Sequence, residues 1–149
     1  MKRLWIGLLA SLLLASCSSY SGDFGAETKK FNQSTKPAST PSGPWKGTWK
    51  SEVNGHHGPL WCVVSQDKVD PSLWNFRYRA GWGILKFGDY THQLQANLDR
   101  RTSNLPLKGK MTLPKNFGTY AIEGVASPIN FNVRYHGNGD KGTMTLTRP

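Results

Sequence analysis

The sequence predicts an all-β protein: an eight-stranded antiparallel up-and-down barrel, preceded by a signal peptide and a disordered tether. Three observations predict it. Beyond Trp45, apolar and polar residues alternate with a period of two in one short segment after another, as in strands with one buried face. Turn formers such as Asn54-Gly55 and Gly137-Asn138-Gly139-Asp140 separate these segments. No stretch after the N-terminal apolar run reads as helical. Eight such strands must hide their edges, and closure into a barrel does so. A two-layer sandwich is the alternative architecture.

The chain opens with Lys2 and Arg3 and an apolar run from Leu4 to Leu14, followed by the small residues Ala15 and Ser16. A positive head, a short apolar run and a small-residue cut site describe a secretory signal over residues 1–16. A spanning helix would need about 20 apolar residues. Residues 17–44 are rich in Ser, Thr, Lys, Gly and Pro, and among them only Phe24 and Phe31 read as large apolar residues. Such a composition cannot offset chain entropy, so the segment is expected to be a flexible tether. As a coil it would reach on the order of 30 Å.

The barrel domain is expected over residues 45–149. Trp45, Gly47, Trp49, Ser51 and Val53 alternate with charged and polar residues in the first strand. The second runs from Leu60 to Gln66, and the third sets Trp74, Phe76, Tyr78 and Ala80 on one face. The fourth, Ile84 to Leu94, is interrupted near Gly88-Asp89, the mark of a bulge or bend. Leu105–Leu113, Gly118–Val125, an inner face of Ile129, Phe131, Val133 and Tyr135, and Gly142–Arg148 supply the rest.

Two sets of residues carry resemblances. Leu14-Ala15-Ser16-Cys17 resembles the lipobox of bacterial lipoproteins, which implies lipidation of Cys17 and anchoring in a bilayer. Ser18 after the cysteine resembles the outer-membrane type, which implies a cell-envelope location facing the periplasm. Gly47-Thr48-Trp49 is similar to the Gly-x-Trp signature of the calycin barrels, which include lipocalins, fatty-acid-binding proteins and avidins. That resemblance implies a basic residue of the last strand, here Arg148, packed over Trp49 to close one barrel end. The lipocalin Thr-Asp-Tyr motif is absent. More broadly, the chain looks like small lipoproteins of bacterial envelopes.

With 149 residues the chain holds one domain and a tether. Its formal charge of +10 favours anionic envelope components, and an exported protein is not expected to meet nucleic acid. Of the two cysteines the lipobox takes Cys17, which leaves Cys62 without a disulfide partner and expected inside, with Leu60 and Val64. The histidines His56, His57, His92 and His136 are expected mainly on loops; His136 with His56 or His57 is the one conceivable surface metal pair. The sequence places no nucleophile, base and oxyanion donor together, so neither catalysis nor a cofactor nor a metal is expected.

Aromatic residues are more numerous than barrel closure needs. Trp61, Trp74, Phe76, Tyr78 and Tyr135 are the candidate ligand-binding residues, with Gly47, Trp49 and Arg148 as the closing set. The expected function is non-catalytic binding of a small apolar ligand or an envelope component. The alternative is a filled barrel serving as a structural platform for protein or peptidoglycan contacts. Whether the inward rings leave a cavity separates the two.

Overall fold

A computed structural model describes residues 18–113 and 116–149 of the chain. The segment 1–16, expected to be a signal, and Cys17 lie outside the described residues. One helix, α1 (Ser18–Gln33), precedes eight strands: β1 (Gly43–Ser51), β2 (His57–Gln66), β3 (Leu73–Trp82), β4 (Leu85–Gln95), β5 (Leu105–Leu113), β6 (Gly118–Ala126), β7 (Asn130–Gly137) and β8 (Asp140–Thr147). They form a single antiparallel sheet in the order β4-β3-β2-β1-β8-β7-β6-β5, curled into a nearly closed barrel. Every pair of sequence neighbours except β4 and β5 shares a ladder, and β1 also pairs with β8.

Period-two patterning sets which residues turn inward. On β7 Phe131, Val133 and Tyr135 are buried, while Asn130, Asn132 and Arg134 are exposed. Ile129 departs from the expected inner face: it sits in the turn before β7 and is 66% exposed. The bulge expected near Gly88-Asp89 is present. Tyr78 faces Tyr90 and Ala80 faces Phe87, so β4 spends one residue more than β3 over that interval.

The barrel is packed at one end. Trp45, Trp74, Phe76 and Phe131 are at most 1% exposed, with Phe131 edge-on to both Trp45 and Phe76. Arg148 caps this end. Its guanidinium lies 3.8 Å from the Trp45 ring centre and 4.5 Å from that of Phe31. It also donates to the carbonyls of Pro128, Pro44 and Thr40 at 2.8, 3.2 and 3.0 Å. The stack therefore falls on Trp45, not on Trp49 as the Gly-x-Trp reading expects. The β1–β8 register is the reason: Lys46 faces Thr147 and Trp49 faces Met144, so Arg148 comes level with Trp45. Trp49 lies four residues, or about 13 Å, further along the strand. Gly43-Pro44-Trp45 also has the Gly-x-Trp form.

The second correction concerns residues 17–44. Where the composition reads as a coil, Ser18–Gln33 is a helix whose residues Tyr20, Phe24, Thr28 and Phe31 follow helical spacing. Tyr20 is 3% exposed, stacks on Phe24, donates to the Arg77 carbonyl and lies beneath the Arg77 guanidinium. Arg77 in turn pairs with Asp23 of the helix and with Asp89 of β4. Two aromatics and an ionic clamp anchor an otherwise polar helix to the outside of the sheet.

β4 and β5 are the two ends of the sheet. A side chain bridges them: a Cβ on Gly109 would lie 2.3 Å from Leu94 Cδ1, so Leu94 lies directly over the glycine backbone. His92, 8% exposed, is buried beside Phe76 on the same face of β4.

Candidate functional site: an aromatic cup at the open end of the barrel

The C-terminal ends of β1, β3, β5 and β7 and the N-terminal ends of β2, β4, β6 and β8 meet at the end opposite Arg148. There the inward side chains no longer fill the barrel, and a cavity of about 370 Å³ opens toward solvent. Its most buried lining residues, Leu60, Met111 and Met144, form a floor of aliphatic and thioether surface. Trp49, Tyr90, Tyr120 and Tyr135 line it as walls. Trp82 and Phe117 stand at the rim, 44% and 45% exposed, with His56 in ring contact with Trp82 at 4.9 Å.

The space exists because small residues replace large ones on the inner face near this end. Gly58, Ala80 and Gly142 occupy inward positions on β2, β3 and β8. Gly142 is obligatory: a Cβ there would sit 1.9 Å from the Lys50 carbonyl and 2.6 Å from the Tyr135 hydroxyl. The glycine lets β8 approach β1 and lets the Tyr135 ring lie across it. Edge-on contact with Tyr120 at 5.7 Å fixes the other side of that ring.

One polar corner interrupts the apolar lining. Ser51 Oγ donates to Asp140 Oδ1 at 2.6 Å, and the Tyr135 hydroxyl donates to Asp140 Oδ2 at 3.3 Å. The Lys141 amide also donates to Oδ1, while Ser51 Oγ accepts the amides of Val53 and Asn54. The β1–β2 turn and the β7–β8 hairpin are thereby tied together at the mouth. Burial first, and then the Asp140 carboxylate, push the Tyr135 phenol above its ordinary range, so it keeps its proton. The Trp49 indole N–H is committed to the Gly81 carbonyl at 2.9 Å.

Of the candidate ligand-binding residues, Tyr135 alone lines the cup. Trp74, Phe76 and Tyr78 belong to the packed half. Trp61 alternates outward with inward Leu60 and Cys62, and it is half-buried on the outer surface. Tyr90, Phe117 and Tyr120 are not among the residues expected to bind ligand, and Trp49 is expected in the closing set. Their common signal is proximity to the four turns of one barrel end, which becomes visible only once strand order is known. Gly47 lies in the β1–β8 ladder: a Cβ there would meet the Thr145 carbonyl at 2.0 Å, so β1 and β8 pack at glycine distance.

The remaining chemically capable groups lie elsewhere. Cys62 is fully buried in the packed half beside Tyr78, and burial raises its thiol pKa well above the ordinary value. Among the described residues no group of three or more His, Cys, Asp or Glu side chains is placed to hold a metal ion. His57 contacts the Gly55 carbonyl, and His136 pairs with Lys141 in the β7–β8 hairpin. Among the described residues no helix is long and apolar enough to cross a membrane. Compared with family models, curated proteins and solved structures, the chain matches none.

Proposed function

We propose that the protein is a non-catalytic binding module whose barrel holds a small, largely apolar ligand, anchored to a bacterial membrane through acylated Cys17. The observation that carries the ligand half is the cup itself: a cavity of about 370 Å³ walled by aromatic rings and floored by aliphatic side chains. That size lies within the range of small-molecule sites, about 300–1,000 Å³. Water held against such a wall gains by leaving it, which favours an apolar occupant. The anchor half rests on Leu14-Ala15-Ser16-Cys17, and Ser18 favours the outer membrane with the barrel facing the periplasm.

Native mass spectrometry of the chain purified without denaturation tests the ligand half. An extra mass that solvent extraction removes supports it. A clean apo mass that added lipids, glycans and aromatic amphiphiles leave unchanged refutes it in favour of a platform role. Labelling with a palmitate analogue tests the anchor. Wild type should be marked and Cys17→Ala should not, and equal labelling of both would refute it.

A further inference from the structure

We infer that the occupant of the cup is a hydrophobic amine: an apolar body whose protonated nitrogen sits at the Asp140 corner. The inference rests on the cup being a ligand site and goes on to name the ligand's head group.

Donors and acceptors at the corner are unequal. Asp140 brings a carboxylate to the wall of a mostly apolar cavity, and among the described residues no lysine or arginine lines that cavity. The donors that Asp140 engages, and the Trp49 indole, are already committed. Ser51 O–H and the Lys141 amide go to Oδ1, Tyr135 O–H goes to Oδ2, and the Trp49 N–H goes to Gly81. What remains at Asp140 and Tyr135 themselves is acceptor capacity: Oδ2, whose one contact among the described residues is long at 3.3 Å, and the lone pairs of the Tyr135 oxygen. The Asn54 amide and the Tyr90 and Tyr120 hydroxyls elsewhere in the lining can serve further polar groups. A ligand carboxylate or phosphate would bring acceptors to acceptors, in a partly desolvated site where like charges repel strongly. An ammonium brings donors and the opposite charge.

The rings around the corner reinforce that choice. Tyr135 and Tyr120 meet edge to face beside Asp140, with Trp49 and Trp82 completing the wall, and a cation is attracted to the face of each such ring. Alkyl or aryl surface on the same ligand then covers Leu60, Met111 and Met144 below. The excess positive charge of the chain makes the point sharper: in a chain of net charge +10, the described lining carries a carboxylate and neither lysine nor arginine. His56 is the other titratable group of the lining besides the tyrosines, and it lies exposed at the rim against Trp82.

Isothermal titration of the intact protein with phenylbutylamine, phenylbutanol and phenylbutanoate tests the inference, because the three share one apolar body. The expected order is amine, alcohol, carboxylate, with the amine about tenfold tighter than the alcohol, which corresponds to about 1.4 kcal/mol. Asp140→Asn keeps an acceptor for Ser51 and should bring amine and alcohol to similar affinity. A second measurement needs no variant: raising the salt concentration should weaken amine binding in wild type and leave alcohol binding unchanged. Phenylbutanoate binding as tightly as the amine, or an amine preference that survives Asp140→Asn, overturns the head-group assignment while the ligand-binding reading stands. Binding of none of the three overturns both.

Discussion

At the scale of single residues, Arg148 contributes more to closure than its place at the end of the chain suggests. It satisfies three backbone carbonyls and covers Trp45, and burial lowers its pKa to about 10, so the guanidinium keeps its charge at neutral pH. Removing it takes a donor from each of those carbonyls and uncovers an indole. Arg148→Ala should lower the unfolding free energy by about 2–4 kcal/mol, read from the urea midpoint at constant slope. A loss below about 0.5 kcal/mol, the level of an ordinary surface change, would contradict the capping role. Gly47 acts by absence. Any Cβ there meets the Thr145 carbonyl, so Gly47→Ala must push β1 away from β8, at a cost of about 1–3 kcal/mol in the same assay.

At the scale of elements, the strands were legible and the helix was not. Strand alternation is a signal repeated eight times over, and the fourth-strand bulge followed from Gly88-Asp89 interrupting it. The stripe Tyr20, Phe24, Thr28, Phe31 is as regular, but it is thin and embedded in Ser, Gly and Lys. Its stability comes from docking onto the outside of β1, β2 and β3 rather than from helix propensity. Tyr20→Ser should therefore raise hydrogen exchange across 18–33 to unprotected rates and leave the barrel amides protected. The β4–β5 seam carries a different consequence. Burial lowers the His92 pKa, the Lys110 backbone offsets this only in part, and neither ring nitrogen makes a well-aligned hydrogen bond. A depressed folded value means that the unfolded chain binds the proton more readily. The stability held by neutral His92 is thus present above the unfolded value, about 6.5, and is lost as the pH falls below it. Asp67 and Asp99, whose pKa values are lowered by turn hydrogen bonds, act in a separate window below 3.8. His92→Leu should flatten the fall in urea midpoint between about pH 7 and pH 5 relative to wild type.

At the scale of the whole molecule, the barrel divides along its axis into a packed half and a hollow half. The sequence carries this division only faintly. Composition tells that rings are plentiful, and periodicity tells that they turn inward, but strand register decides at which end each one sits. Trp74, Phe76 and Tyr78 read as a lining and prove to be core; Tyr135 reads as a lining and is one. The glycine and alanine positions that make room are as informative as the rings, yet they gain meaning only once Gly58, Ala80 and Gly142 are known to lie at one end. The division predicts opposite outcomes for two similar enlargements on the same face of β2. Leu60 and Val64 are both 1% exposed and lie four residues apart, Leu60 in the cup floor and Val64 in the packed half. Val64→Phe must force its ring among close-packed neighbours and should cost about 1–3 kcal/mol, while phenylbutylamine still binds the molecules that fold. Leu60→Phe has the cup to expand into and should cost under about 1.5 kcal/mol, while phenylbutylamine binding is lost because the ring occupies its place. Urea midpoints and titrations on both variants read the four outcomes together. Equal destabilisation with binding retained in both would mean that the barrel interior is one continuous packed core.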